Sequence, residues 1–376
     1  MKKSNFLSAL LAVSVSLILL FKSSDLGEGI RRGLFLCSYS VIPSLFPFMA
    51  LSVFLCKSKA SMFFEAAFKP LTRLLKIPSA CGSILFASLI GGHPAGAKCI
   101  NDFVKNGILD QKTASKMLCY CVNAGPPFVI SAIGIGVFGK IEAGIYILLA
   151  QILSALLIAF LVTLLSKNSG FCESNFQDFK RSNASCVVES VISAAESCFR
   201  MCAFIVIFSG VLEIVFSGAV FSLLSENPFL KAVLSGFFEV TSGCFACGNI
   251  EGFYGIILAG ALSSFSGLSV ILQIAAVTEE SKIPLFPFVV SRFFHALFTA
   301  GFLSVFLSFG GKAIETFSVK GGSIDAVFSA SAPAAVSLLC MASLFLLSIV
   351  PEKSEKEPAL KRIWNKFTEF CNGKTQ

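Results

Sequence analysis

The sequence predicts an all-α polytopic membrane protein, with about eight transmembrane helices and two re-entrant helical hairpins arranged as a transporter-like inverted repeat. The class follows from composition. Of 376 residues, 55% are hydrophobic and 14% charged, and the mean hydropathy is +0.82. A soluble domain carries about 25% charged residues, so this chain has too little polar surface to coat a soluble particle of its size. Cytosolic, secreted and disordered classes are thereby excluded. The hairpins follow from a second observation: apolar segments interrupted by Gly, Pro or Ser fall at corresponding places in the two halves.

The N-terminal unit, 1–32, holds one transmembrane helix and a loop. Residues 4–21 follow Met1-Lys2-Lys3, and no A-x-A site comes after their long apolar run, so they read as an uncleaved helix. The first repeat covers 33–166. It opens with a span at 33–55 interrupted by Pro43 and Pro47, followed by a loop carrying Lys57, Lys59, Lys69, Arg73 and Lys76. The next apolar segment, about 80–97, ends in Gly91-Gly-His-Pro-Ala-Gly-Ala97, which makes a poor continuous helix. Broken backbone at membrane depth is tolerated where it lines a cavity, so this segment reads as the first re-entrant hairpin. Asn123-Ala-Gly-Pro-Pro127 then opens a broken span over 123–139, and 142–165 is a plain span.

A polar linker, 167–185, separates this half from the second repeat, 186–310. Residues 186–199 are amphipathic and 201–224 span. After Asn227-Pro228 comes the second hairpin, about 232–249, broken in Gly236-Phe-Phe-Glu-Val-Thr-Ser-Gly243. The broken span 252–278 carries Ser263-Ser-Phe-Ser-Gly-Leu-Ser269 at its centre, and 286–309 is an ordinary span. A C-terminal helix lies at 332–350 within 311–350. The basic tail 351–376 has Arg362, Trp364 and Lys366 set for an interfacial helix.

The net charge of +8 sits in short loops between apolar runs, the pattern of topogenic Lys and Arg and not of a nucleic-acid footprint. With the N-terminus, the linker and the tail cytoplasmic, Lys22, Arg31, Arg32, Lys140, Lys231, Lys312 and Lys320 fall outside. That drawing has the first hairpin entering from inside and the second from outside. The 14 Cys lie mostly in or beside apolar segments, where Cys acts as a small hydrophobe. Cys244-x-x-Cys247 and Cys119-x-Cys121 lack a second pair at ligand spacing, and so do the two histidines, so no metal or other cofactor is expected. No Walker loop and no catalytic constellation appears, which argues against an enzyme.

Interrupted apolar segments in matching positions of two halves point to a solute site near the bilayer midplane. The residues placed there are His93, Asn123, Glu239, Thr241, Ser242, Ser264, Ser266 and Gln273. Glu239 is the strongest, because an acid costs roughly 2.5–3.5 kcal/mol at membrane depth. Its alternative is a cap on the broken helix. Asn123 likewise serves as cap or contact, and the hydroxyls serve as contacts or as packing glue. Glu213 and His295 are candidates for a coupling or pathway role, with an ion pair the alternative for Glu213. Arg292 reads most simply as topogenic and Lys98 as snorkelling to the interface.

The strings Gly91-Gly-His-Pro-Ala-Gly-Ala-Lys98, Asn123-Ala-Gly-Pro-Pro127, Phe238-Glu-Val-Thr-Ser-Gly243 and Ser264-Phe-Ser-Gly-Leu-Ser-Val270 with Gln273 resemble YlbJ-type sporulation integral membrane proteins. That group is similar to the nucleoside-recognition (Gate) domain proteins and, in part, to concentrative nucleoside transporters. The resemblance runs in order from about Pro43 to His295. It implies a multi-pass protein of a sporulating bacterium, in the mother-cell-derived outer forespore membrane. The paired broken segments and Glu239 point to a secondary transporter for a small polar or anionic solute, and the spore-maturation setting that the resemblance implies makes dipicolinate the anionic candidate. The rivals are a nucleoside transporter and a non-transporting scaffold for spore envelope or cortex assembly. The expected partners are the solute, a coupling H+ or Na+, the bilayer and a homo-oligomeric copy, with no nucleic acid.

Overall fold

The computed structural model describes residues 2–58, 60–165, 183–218 and 226–310, and the regular elements among them are all helical. The expected helix at 332–350, the basic tail and most of the linker lie outside the described residues. Among the described residues, five helical stretches are long and apolar enough to cross a membrane: Ser23–Lys57, Ile141–Leu165, Cys186–Ser217, Phe253–Thr278 and Phe286–Phe309. The chain is therefore an all-α, multi-pass membrane protein.

α1 (Lys2–Phe21) leads into α2 (Ser23–Leu36). Residues 23–32, expected as a loop, are helical because they have a partner. Gly29 and Gly33, four apart, let α2 lie against α9 (Asn183–Ser217), where a Cβ at Gly29 would come within 2.4 Å of the Ser209 carbonyl oxygen. Small residues at this spacing are the usual close-approach device between membrane helices. A π turn, Cys37–Val41, widens the helix just ahead of α3 (Ile42–Lys57), where Pro43 sits in the first turn and needs no N–H donor. Two short helices, α4 (Ser61–Ala67) and α5 (Lys69–Leu74), follow, and Phe64 stacks on Phe86 with ring centroids 3.8 Å apart.

α6 (Cys81–Lys105) reverses direction at Gly92, whose φ of 76° and ψ of −165° lie where essentially only glycine goes. A Cβ on Gly96 would lie 3.0 Å from the Ser88 Cβ. In a continuous helix eight residues rise about 12 Å, so the two arms run back alongside each other. Pro94 starts the return arm, where a missing N–H is harmless. The return arm is tied down by Lys98 to Glu196 at 3.4 Å, by Asp102 to Lys57 at 3.8 Å and by Lys105 to Glu280.

α7 (Gln111–Cys121) begins at a cap: Asp110 accepts from the Lys112 and Thr113 amides at 3.1 and 3.0 Å. Partial burial pushes the Asp110 carboxyl up, but the hydrogen bonds from Thr113 and Lys112 outweigh it and hold the group below its ordinary value. The sign follows: this cap's contribution is complete above the unfolded carboxyl pKa, about 3.9, and is lost as pH falls through the lower folded value. Asp110→Ala is expected to cost about 1 kcal/mol at neutral pH and less below pH ~3. Thermal unfolding of both proteins across acidic pH checks this.

Beyond Cys121 the backbone is extended, and Pro127–Ile135 forms a π-helix of nine residues. This stretch was expected as a broken span. It is too short to cross a core of roughly 30 Å, because Pro126-Pro127 delays its start and Gly134, Gly136 and Gly139 end it. α8 (Ile141–Leu165) packs across it, Gly144 against Gly134.

The second reversal joins α10 (Pro228–Phe238) to α11 (Val240–Ala246) through an extended Glu239. A Cβ on Gly243 would lie 2.2 Å from the Gly236 Cα, so these arms too are folded side by side. After a short turn, Cys247–Asn249, come α12 (Phe253–Phe265) and α13 (Gly267–Thr278), separated by Ser266 with a φ of 76°. α14 (Phe286–Gly310) completes the described fold. The two reversals share one more feature. Each tip rests on a glycine of the broken segment that follows it: a Cβ on Gly125 would meet the Ile90 carbonyl at 3.0 Å and the Gly92 nitrogen at 3.2 Å, and one on Gly267 would meet the Gly236 carbonyl at 2.9 Å.

Candidate functional site

The two tips converge on a small, partly open cavity of about 30 Å³. Gly91–Pro94 line it from the first hairpin, Glu239–Thr241 from the second, and Gly125 from the extended segment. α13 contributes Ser269 and Gln273, one helical turn apart on the same face. Leu45, Phe128 and Met201 supply apolar wall. The volume has room for about two waters, so a larger solute requires the tips to part.

Glu239 is buried, and it is the acidic side chain of this wall. One carboxylate oxygen accepts from the Thr241 amide at 2.8 Å and the other from the Ser242 amide at 2.6 Å, which caps α11. The capping alternative is thus realised. The Thr241 and Ser242 hydroxyls add side-chain hydrogen bonds to the same carboxylate, which stands in the cavity wall. His93 joins the halves, its Nε2 lying 2.9 Å from the Ser266 Oγ. The sharp conformation at Ser266 is what turns that hydroxyl toward the first hairpin.

The unpaired groups are informative. The Ser269 hydroxyl and the Gln273 side-chain nitrogen, both buried and both in the cavity wall, have no hydrogen-bond partner. Buried polar groups are otherwise nearly always satisfied, and an orphan costs about 1–3 kcal/mol. Two buried, unsatisfied donors therefore stand on one face of α13, in residues of the same wall that Glu239 lines.

The structure thus brings His93, Glu239, Thr241 and Gln273 to one cavity, with Ser266 behind His93. Asn123 lies just outside the wall, its side-chain nitrogen donating to the Tyr120 carbonyl at 2.7 Å and its oxygen unpaired. Ser242 contributes its amide to Glu239, and its side chain is not part of the wall. Ser264 sits elsewhere, 2.8 Å from the Thr299 hydroxyl, which in turn donates to Ser154 at 3.0 Å. Glu213 is also elsewhere: it faces α2 and pairs with Arg32 at 2.8 Å. His295 is buried behind the cavity, with its Nε2 3.2 Å from the Gln151 carbonyl oxygen and its Nδ1 3.3 Å from Arg292.

Two residues were missed. Ser269 stands four before Gln273, a helical spacing that marks a shared face. Arg292, read as topogenic, is fully buried; its place in an apolar helix one turn from a histidine was the available signal.

These features define a multi-pass α-helical membrane protein with a small, mostly apolar cavity between two folded-back hairpins, whose wall includes His93, Glu239, Ser269 and Gln273. Over 310 residues the chain is 23% identical to the sporulation integral membrane protein YlbJ of Bacillus subtilis (strain 168), an alignment covering 73% of this chain and 76% of that protein. The similarity bears out the YlbJ-type resemblance read from the four motifs. No family model matches the chain, and no solved structure does.

Proposed function

We propose that this sporulation-associated membrane protein is a permease, not an enzyme, and that it carries a small neutral or cationic polar solute through the chamber between the hairpin tips. One observation carries the reading: two unpaired buried donors, on Ser269 and Gln273, belong to residues that line one cavity with Glu239 where two broken segments meet. Broken helices at matching places in two halves are the recurring construction of secondary transporters. The same construction supports the inverted-repeat description and the Gate grouping. Coupling to H+ or Na+ belongs in this reading to the chamber, since the Glu213 charge is held by Arg32.

The geometry favours this solute class over the dicarboxylate that the resemblance suggests. Helix N-terminal amides suit a carboxylate, but those of α11 are already taken by Glu239. A like charge about 4 Å from that carboxylate is repelled by about 4 kcal/mol at an effective dielectric of 20. A neutral heterocycle with an N–H beside a C=O, as in a nucleoside base, satisfies Glu239 and Gln273 together. The similarity to YlbJ supports a role in sporulation, and the forespore outer membrane is the place this reading assigns.

A thermal-shift screen of the purified protein against nucleosides, small amines and dicarboxylates tests the proposal. A neutral or cationic solute at 100 times its Kd is expected to add about 2.7 kcal/mol, and dicarboxylates nothing. Stabilisation by dicarboxylates alone overturns the solute class. A flat response across the panel shifts the reading to a non-transporting scaffold.

A further inference from the structure

Arg292 has no carboxylate partner among the described residues, although it is fully buried in α14. An unpaired guanidinium at membrane depth is costly, so what it touches should explain its place. Its Nη1 donates to the Val122 carbonyl at 2.5 Å, and its Nη2 donates to the Cys119 carbonyl. The Phe288 ring lies 5.0 Å beneath it, a favourable cation–π distance. Cys119 and Val122 bracket the end of α7, where carbonyls lose their helical partners and carry the negative end of the dipole. Asn123 covers the carbonyl between them, Tyr120. α7 is therefore stopped at Cys121 by side-chain donors, and the principal one comes from another helix.

That stop has a consequence at the cavity. The non-helical residues after it deliver Gly125 against the backbone of Ile90 and Gly92, so closely that a Cβ would push those atoms aside by a few tenths of an ångström. We propose that Arg292 is a positioning residue for the first hairpin: it fixes the end of α7, the end of α7 fixes Gly125, and Gly125 seats Gly92 and His93 at the cavity. The assignment stands on this geometry and holds whether or not a solute is transported. The two buried charges then serve the two breaks in complementary fashion, Glu239 at a helix N-terminus and Arg292 at a helix C-terminus, each the sign the dipole favours.

Amide hydrogen exchange of the full-length protein in detergent tests the chain of contacts. Arg292→Met is expected to raise exchange on the order of tenfold or more in peptides covering 117–125 and, with them, 88–96. Peptides covering 236–246 should stay at the wild-type rate. Arg292→Lys, which keeps the charge and one of the two carbonyl contacts, should restore part of the protection. Thr299→Val, which removes a buried α14 hydroxyl bonded to Ser264 and Ser154 and not to α7, should leave both regions unchanged. A uniform rise across all peptides in Arg292→Met would reduce Arg292 to general stability. A rise confined to 117–125 would break the link to the hairpin, and no rise would remove the role altogether. Should Arg292→Met not accumulate, Arg292→Lys carries the same two-region test.

Discussion

Gly243→Ala is expected to undo the second hairpin, with a large loss of stability. The added Cβ would stand 2.2 Å from the Gly236 Cα and 2.5 Å from its nitrogen. Both are backbone atoms, so no rotamer change relieves the overlap and the arms must separate. Overpacking of this kind costs about 1–3 kcal/mol where neighbours can adjust, and here the upper end or beyond is expected. The separation would also pull Glu239, which lies between the arms, away from the cavity. Gly301→Ala is the control: nothing lies within 4 Å of a Cβ there. In a helix interior that exchange is neutral or stabilising by up to about 1 kcal/mol. Thermal unfolding of the two variants beside the wild type checks the contrast, and equal behaviour would contradict the side-by-side packing of α10 and α11.

Glu239 supplies the second large effect, on binding and not on stability. Two contributions to stability oppose each other. Its two hydrogen bonds to α11 amides are charge-assisted, worth about 1.5–3 kcal/mol each, while burying the acid costs roughly 2.5–3.5 kcal/mol. Their near balance means that a change of stability says little about why the residue is there. Glu239→Asp separates the two roles. Asp is the better N-cap, so α11 remains capped and the unfolding midpoint should stay close to wild type. The carboxylate, however, retracts by one methylene from the guest space. Solute-dependent stabilisation, about 2.7 kcal/mol at 100 times Kd, should be lost or cut to a small fraction. If Glu239→Asp keeps full solute-dependent stabilisation, the carboxylate is a cap and nothing more.

Where the chain breaks was largely written in its local chemistry. Gly91-Gly-His-Pro, Glu239 between apolar neighbours, and Ser266-Gly267 are residues that cannot continue a helix or that favour its start, and the structure turns at each of them. The membrane class was legible from composition alone. Run length misled at 123–139, since hydropathy measures apolarity and not rise, and two prolines followed by spaced glycines leave only a nine-residue π-helix. Partners distant in the chain were not legible at all. Glu213 meets Arg32 across 181 positions and Ser264 meets Thr299 across 35, so the ion pair and the packing bond could be offered as alternatives but their partners could not be named until the packing of α9 and α14 was known. Arg292 is a partial case: its place in an apolar helix one turn from His295 marked it, but its contacts with the Cys119 and Val122 carbonyls depend on where α7 ends.

Solute uptake into proteoliposomes tests the central claim most directly, with the wild type, Gln273→Leu and empty vesicles compared at equal protein incorporation. Gln273 is the choice because it lines the cavity and its buried side-chain nitrogen has no hydrogen-bond partner. The account predicts uptake of a neutral or cationic solute from the panel above the empty-vesicle rate, and its loss in Gln273→Leu while the protein stays folded. Uptake that Gln273→Leu leaves untouched, or no uptake of any panel solute by the wild type, would contradict it.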